Sequence, residues 1–257
     1  MSHSENRTVQ SGHEQAECTL EEAADRIAAS PAPVLFLDTC SLVDLIRLSN
    51  PDRTDRSEVT DCGRELAAAL ALSEDQREQD LWVVVPPIVR REYREHAPKA
   101  ADRVRKEWKR IDDEVHVSLF AGGVLDVSAS LPSQTNFSQT LQPLLAEIKR
   151  IADGLIADGL WLESDDGCRD RAYSRTVQKI PPGHRGGEMK DCTIIEHALA
   201  LSRLLAENGA AIPRVFLTSN TKDFCGGGSR PKPPLDGQFD DVGLQLAVQW
   251  QQAKAVL

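Results

Sequence analysis

Polar residues follow apolar segments at two distant places in this sequence. Asp38 comes directly after the apolar run Val34–Leu37, and Asn220 and Asp223 lie just after a second such run at 215–218. Short, fully apolar runs are typical of strands that are covered on both faces. Because ligands of open parallel sheets bind outside the carboxyl ends of the strands, these side chains are predicted to share one edge of a sheet.

Two further carboxylates stand near the beginnings of predicted helices. Glu92 lies about one turn into a helix that begins near Ile88, after the apolar strand predicted at 81–85. Asp191 begins a helix that is predicted to extend to about Glu207. In an alternating fold, both positions can reach the edge at which the strands end.

Carboxylates that converge in this way repel one another, so a folded protein gathers them around a cation or a proton. Mg²⁺ and Mn²⁺ take oxygen ligands, and Mg²⁺ in particular retains several water molecules. Such ions bind phosphate oxygens, activate water and stabilise the leaving oxygen of a phosphodiester. The pattern therefore predicts a nuclease that depends on Mg²⁺ or Mn²⁺.

Each of these acidic residues also has a purely structural interpretation. Asp38 and Asp191 could cap the helices that follow them, and Asp223 could close a turn through its own backbone. Glu92 lies in a run of alternating charges that could form an exposed, ion-paired face, and Glu95 competes with it for the catalytic role. Further candidates are two outer ligands, Glu188 and Glu196, and two hydroxyls that could hydrogen-bond the carboxylates, Thr218 and Ser41.

The elements that must position these residues alternate between strands and helices. Thr19 can cap a short helix that ends near Ser30, and apolar side chains follow one helical face between 141 and 156. The alternation predicts βαβ units, and hence an α/β fold with three layers (α/β/α) around a central parallel sheet. A last short strand is predicted at 244–248. Polar or Gly/Pro-rich loops are predicted at 128–140, 164–189 and 225–238.

The length of 257 residues predicts one main domain with an insertion. Residues 1–30 are predicted to be a polar tail and a short helix, and residues 31–257 the domain, with a helical insertion at about 111–187.

The six cysteines are scattered without a CxxC pair, which favours reduced thiols over a zinc module or a disulfide scaffold. No apolar run approaches the roughly 20 residues of a membrane span, and the N-terminus has no signal-peptide character, so a cytoplasmic location is expected.

The net charge of −10 argues against broad, nonspecific attraction to nucleic acid. Its distribution is uneven: residues 90–110 contain nine Lys/Arg against four Asp/Glu, and residues 168–190 contain six against two. Local patches of this kind can hold a phosphate backbone. The candidate phosphate contacts are Arg91, Arg94, Arg185 and Lys190.

Four segments resemble, in order, the motifs of PIN-like nuclease domains. An apolar strand that ends in Asp-Thr/Ser before a helix is seen in VLFLDTCSLVDLIR, and a Glu in the helix after the second strand in PPIVRREYREH. An Asp at a helix start is seen in KDCTIIEHALAL, and a strand that ends in Thr-x-Asp/Asn, with Asp-Phe downstream, in VFLTSNTKDF. Each motif alone is weak, and the resemblance depends on the ordered set, which spans about residues 34–224.

The resemblance implies a ribonuclease that depends on Mg²⁺ or Mn²⁺, of a kind that is often the toxic partner in toxin–antitoxin or defence systems. It implies an acidic triad of Asp38, Glu92 and Asp191. The sequence departs from the common pattern at Asn220, which stands in the usual acidic position. Either Asp223 takes over as the ligand or Asn220 orients a water, so the number of metal ions stays open. The long stretch at 111–187 implies one of the larger PIN-like branches, with an RNA substrate and an antitoxin-like protein partner.

Other functions fit the sequence less well. A haloacid dehalogenase phosphatase needs a second Asp two residues after the first, where this chain has Cys40, and a cysteine phosphatase needs Arg six positions after its Cys, whereas Arg47 is seven positions after Cys40. No glycine-rich nucleotide-binding loop is present. The alternative of another class is a catalytically inactive PIN-like module that binds RNA or protein, which Asn220 favours.

Overall fold

The computed structural model describes residues 16–48, 56–124, 137–185 and 189–257. It is an α/β structure in which parallel strands form a central five-stranded sheet in the order β3-β2-β1-β4-β7. A separate antiparallel pair is formed by β5 and β6. The strands are β1 (Val34–Leu37), β2 (Trp82–Val85), β3 (Leu160–Trp161), β4 (Arg214–Leu217), β5 (Cys225–Gly227), β6 (Arg230–Pro231) and β7 (Gln245–Ala247).

Helices occupy most of the remaining described chain. They are α1 (Leu20–Ala29), α2 (Thr39–Arg47), α3 (Arg56–Arg77), α4 (Pro87–Val124), α5 (Phe137–Ala157), α6 (Asp166–Val177), α7 (Met189–Glu207), α8 (Thr221–Phe224), α9 (Leu235–Asp241) and α10 (Trp250–Val256). Helices α1 and α6 pack against α7, whereas α2, α4 and α5 pack on one another and α3 contacts α5 and α10. These two groups are compatible with a three-layer α/β/α arrangement. None of the described helices combines the length and apolarity that a membrane span requires.

The centre of the sheet explains where a site can form. The chain passes from β1 to β2 and β3 on one side and then returns to β4 on the other side of β1. The order of the strands therefore reverses between β1 and β4, which is the topological switch point at which open α/β sheets bind ligands. Leu37 is in register with Leu217, so the residues that follow them, Asp38 and Thr218, leave the sheet side by side.

The apolar runs form strands because both faces of the sheet are covered. All four residues of β1 and of β4 are buried, and Phe36 and Phe216 are among the largest fully buried side chains. A strand that is buried on both faces requires apolar side chains at successive positions, which is the pattern that the sequence shows.

The first helix follows from local sequence signals. Thr19 and Glu22 form a reciprocal capping box, in which the Thr19 hydroxyl accepts from the Glu22 amide at 3.1 Å and Glu22 accepts from the Thr19 amide at 3.1 Å. Ala23 and Ile27 are buried, and α1 packs against α7. The predicted helix after Thr19 is therefore confirmed.

The loop predicted at 164–189 is wrong, because it contains α6. The side chain of Asp165 caps this helix by accepting a hydrogen bond from the amide of Cys168 at 2.6 Å. Only three residues of α6 are buried, namely Cys168, Ala172 and Arg175. The buried face of α6 is narrow and includes a charged residue. The sequence therefore lacks the apolar periodicity by which a helix is usually predicted.

Other expectations are also changed by the structure. The loop predicted at 225–238 is wrong, since it holds β5, β6 and the start of α9. The sequence did not predict α3 or β3, and α4 extends much further than one would infer from its first turns. Most of the loop predicted at 128–140 lies outside the described residues, and positions 137–140 are helical. The domain boundaries at residue 30 and at about 111–187 stay predictions.

Candidate metal centre

Asp38 is the most buried of the predicted acidic site residues that the structure describes, with 1% of its surface exposed. It occupies the N-cap position of α2, where its side chain makes no full capping hydrogen bond, although the backbone amides of Cys40 and Thr39 help to lower its pKa. Its Oδ2 instead accepts a hydrogen bond from the Thr218 hydroxyl at 2.6 Å. The Thr218 oxygen in turn accepts from the Asn220 amide at 3.0 Å, so the hydroxyl proton is directed at Asp38. Helix capping by itself does not include the strongest hydrogen-bond partner of this carboxylate, which is Thr218.

The environment of Asp38 disfavours its negative charge. Burial raises the pKa of this carboxyl from 3.8 to about 6, and the nearby charge of Glu92 adds to the rise, whereas the hydrogen bond from Thr218 opposes it. At neutral pH the group is therefore mostly ionised but poorly solvated. A bound cation would relieve this cost.

Glu92 lies early in α4, and its side chain is 12% exposed. Its Oε2 accepts a hydrogen bond from the Thr39 hydroxyl at 3.0 Å, and Thr39 is the chain neighbour of Asp38. Its Oε1 lies 2.7 Å from the Lys190 ammonium, a contact that raises the pKa of Lys190. Glu95 instead pairs with Lys99 on the exposed side of the helix. The structure therefore directs Glu92 toward Asp38.

Asp191 lies in the first turn of α7, next to Lys190 in the chain. Its Oδ2 accepts a hydrogen bond from the side-chain amide of Asn220 at 2.9 Å. Since the backbone amide of Asn220 also donates to Thr218, Asn220 connects Asp191 to Asp38. Asp223 follows in α8, one turn after Asn220.

These contacts close a ring, which we call the acidic ring. It runs from Asp38 through its neighbour Thr39 to Glu92 and Lys190, then through Asp191 and Asn220 to Thr218 and back to Asp38. Residues from four distant segments of the chain meet in it, at the switch point between β1 and β4. The three carboxylates that the resemblance implied as a triad are therefore linked by one network of contacts.

The thiol of Cys40 provides a second sign that the carboxylates converge. Burial raises its pKa far above the ordinary range, and the charges of four surrounding carboxylates add to the rise: Asp38, Asp191, Asp44 and Glu92. Such a thiol stays protonated and is a poor nucleophile. All three members of the implied triad and one further acid are therefore close enough to Cys40 to act on its thiol electrostatically.

That further acid, Asp44, is a residue that the sequence prediction missed. It lies one turn after Cys40 on α2 and accepts hydrogen bonds from the Ser219 hydroxyl at 2.7 Å and from Arg47 at 2.9 Å. The spacing of Cys40 and Asp44, four residues apart on one helix, places both on the same face. This spacing was the available signal.

The predicted phosphate contacts have different surroundings. Arg91 and Arg94 are exposed on α4 and line an open cavity of about 470 Å³, together with Glu17 and Glu95. Lys190 is engaged by Glu92. Arg185 ends a short 3-10 helix, Gly183–Arg185, and its side chain lies outside the described residues. Arg90, by contrast, stacks 4.5 Å from the ring of Trp161 and has a structural role.

The remaining candidates are structural or lie elsewhere. Glu196 is buried in an ion pair with Arg175, at 2.9 Å from its Nε, and does not face the acidic ring. Glu188 lies outside the described residues. Ser41 donates to the carbonyl of Leu217 at 3.2 Å, so it fixes the start of α2 to the end of β4.

The donor set of the acidic ring fits a hard divalent cation. It offers carboxylate oxygens and one side-chain amide, and the burial of Asp38 beside Glu92 creates an excess of poorly solvated negative charge. Among the described residues, no three His, Cys, Asp or Glu side chains are already grouped closely enough to hold an ion. The ammonium of Lys190 stands against Glu92, where a cation would be expected. Binding of an ion therefore requires this contact to open.

No known family, curated protein or solved structure matches the chain in comparisons of its sequence and structure. The case for a function consequently depends on the chemistry of the acidic ring.

Proposed function

We propose that this chain is an endoribonuclease that depends on Mg²⁺ or Mn²⁺ and has a PIN-like fold. The observation that supports the proposal best is the acidic ring, which joins Asp38, Glu92 and Asp191 at the switch point of a parallel sheet. Burying converging carboxylates is costly unless they serve a cation. Phosphodiester hydrolysis is the reaction for which such a cation is best suited.

In this proposal Asp38, Glu92 and Asp191 hold the ion, and Asn220 contributes its amide. A bound Mg²⁺ or Mn²⁺ would polarise the phosphate and activate the attacking water. Thr218 holds one oxygen of Asp38 and Asn220 holds one oxygen of Asp191, so both carboxylates are oriented before the ion arrives. Orientation in advance avoids reorganisation when the ion and the substrate bind.

Positive side chains at the rim would hold the RNA. Arg91 and Arg94 are exposed on the same helix as Glu92 and are suited to bidentate contacts with phosphate. They offset the net negative charge of the chain locally, which is what an acidic protein needs to hold a polyanion. Asp223, on α8 after Asn220, stays a candidate ligand.

The test compares two glutamates of α4 that lie less than one turn apart. Single-stranded RNA is incubated with the purified protein and Mn²⁺, with or without a chelator. We expect cleavage by the wild type and by Glu95→Gln, because Glu95 is 57% exposed and its ion pair is with Lys99, outside the acidic ring. We expect Glu92→Gln to reduce the rate by more than about 100-fold, since it removes a direct ligand and outer partners alone cost about 10- to 100-fold.

The same experiment separates the proposal from its rival, an inactive module that binds RNA or protein. The ion pair of Lys190 with Glu92 and the amide that Asn220 directs at Asp191 favour that rival. RNA binding that survives the chelator and Glu92→Gln, with no cleavage by the wild type, would establish the module and reject the enzyme. Cleavage of DNA but not of RNA in the same assay would change the proposed substrate from RNA to DNA.

A further prediction concerns toxicity, which the resemblance to toxin-like ribonucleases implies. Expression of the wild type is expected to arrest growth of a bacterial host, and Asp191→Ala is expected to relieve the arrest, because it removes both a ligand and the partner of Asn220. Growth curves at matched protein levels provide the measurement. Equal growth of both strains would reject a toxin role while leaving the cleavage assay to decide on nuclease activity. If the chain is a toxin, an antitoxin-like protein is its expected partner.

A further inference from the structure

The contact between Lys190 and Glu92 covers the acidic ring from the solvent side. The Glu92 side chain is 12% exposed and that of Lys190 is 51% exposed, so the ion pair joins a mostly buried carboxylate to a half-exposed lysine. The other oxygen of Glu92 is held from within by Thr39. Lys190 is thus the outer partner of Glu92.

The ammonium supplies positive charge where the acidic ring needs it. Glu92 acts on Asp38 electrostatically, and both act on the thiol of Cys40 together with Asp191. Lys190 is the chain neighbour of Asp191 and therefore stays close to two of the three carboxylates. A buried carboxylate cluster is costly without a counterion, and among the described contacts this ammonium serves as one.

The contact is also of a kind that can be released. Lysine is a compact, strongly hydrated charge on a flexible stem, and an ion pair with a half-exposed partner contributes little free energy. The Arg175–Glu196 pair differs from the Lys190–Glu92 pair because its cation is held by further contacts. Arg175 is buried and also donates to the Pro181 carbonyl and to Gln238, so it is fixed on several sides.

We propose that the ammonium of Lys190 and a divalent cation compete for Glu92. In the metal-free protein Lys190 neutralises Glu92, and the ion displaces it on binding. The displaced lysine stays at the rim, where its charge faces an incoming phosphate. This inference rests on the proposed function, because it assumes that the acidic ring binds an ion.

The test measures the affinity for Mn²⁺ of the full chain, without RNA, from the electron paramagnetic resonance signal of the free ion. We expect Lys190→Met to bind Mn²⁺ about fivefold more tightly than the wild type, which corresponds to the loss of one weak ion pair. Lys190→Arg keeps the pair and is expected to bind close to the wild-type level. Lys222→Met is the matched control, because it removes an exposed lysine from α8 at the same edge. Its affinity is expected to change less than twofold.

Equal Mn²⁺ affinities of the wild type and Lys190→Met would overturn the competition while leaving the metal-dependent proposal intact. Equal gains from Lys190→Met and Lys222→Met would also overturn it, since the effect would then come from net charge alone. If none of the four forms binds Mn²⁺, the metal-dependent function itself fails, and the competition fails with it.

A second measurement observes the lysine directly. Reductive ¹³C-methylation labels the lysines, and the dimethyl signal of Lys190 is assigned by its loss in Lys190→Arg. Addition of Mg²⁺ is expected to move this signal toward the position of a solvated lysine, while the Lys222 signal stays in place. An unmoved Lys190 signal at saturating Mg²⁺ would overturn the displacement.

Discussion

Replacing Asp38 with asparagine is expected to stabilise the fold at pH 7 while it abolishes metal binding and cleavage. Asp38 is fully buried, and its pKa is raised from 3.8 to about 6, mainly by burial. The folded protein therefore takes up the proton more readily than the unfolded chain. The stability that this uptake provides is fully present below about pH 4 and is lost as the pH rises through about 6.

Asparagine removes the charged form and can still accept the hydrogen bond from Thr218. The expected gain in the free energy of unfolding at pH 7 is on the order of 2–3 kcal/mol. For a chain of this size that corresponds to a rise in melting temperature of roughly 5–10 °C. The gain should disappear below about pH 4, where the wild-type carboxyl is protonated in both states.

Thermal unfolding between about pH 3 and pH 8, with and without Mn²⁺, measures this effect. A saturating ion should stabilise the wild type by about 3 kcal/mol at 100 times its dissociation constant, and it should leave Asp38→Asn unchanged. Asp102→Asn is the control, because Asp102 is 64% exposed, pairs with Arg105 and does not belong to the acidic ring. A variant that is less stable than the wild type at pH 7 would show that Asp38 is a structural carboxylate, and the metal centre would lose its central ligand.

Replacing Arg175 with methionine is expected to have the opposite effect, a loss of about 3–5 kcal/mol in the free energy of unfolding. Arg175 and Glu196 have side chains that are 5% and 7% exposed, and their closest oxygen–nitrogen distance is 2.5 Å. Removal of the arginine leaves Glu196 buried, with only the half-exposed Arg171 at 3.0 Å as a charged partner. The arginine also donates to the Pro181 carbonyl at 2.7 Å, so the segment before α7 loses an anchor.

The matched control is Arg150→Met, which breaks an arginine–glutamate pair with similar distances on the surface. Arg150 donates to Glu147 at 2.8 and 2.5 Å, but both side chains are more than half exposed. Its loss is expected to cost less than about 1 kcal/mol. Urea denaturation measures both variants.

The double variant Arg175→Met/Glu196→Leu adds a decisive comparison. If the cost arises from an uncompensated buried charge, removal of Glu196 as well should restore much of the stability. Equal destabilisation by Arg175→Met and Arg150→Met would refute the argument from burial.

The predictions for Asp38 and Arg175 concern two buried carboxylates, Asp38 and Glu196, that differ in how their charge is compensated. Buried charge at Asp38 is tolerated at a cost to stability because the acidic ring has a proposed use for it, a pattern common at functional sites. Buried charge at Glu196 is matched by arginine and holds the framework. The sequence alone gives no means of separating these two kinds of buried acid.

The sequence by itself determined the three middle strands of the central sheet and the position of Asp38 at their edge. The strands β1, β2 and β4 are readable because a strand that is covered on both faces needs an uninterrupted apolar run, and that requirement is local. Once the strands are parallel, their carboxyl ends share one edge, so Asp38 and Asn220 could be placed there without coordinates. The helix α1 was readable for the same reason, since its capping box lies within four residues.

Only the tertiary structure decided which side chains face one another. Glu92 and Glu95 are less than one turn apart, and the rotation of α4 against α2 is what leaves one 12% exposed and the other 57% exposed. The helix α6 escaped prediction because it has no apolar stripe, and one of its three buried residues is Arg175, which pairs with Glu196 of α7. The pairs of Lys190 with Glu92 and of Asn220 with Asp191 likewise join segments that meet only after folding. The direction of a side chain depends on the packing of whole elements, which no local pattern encodes.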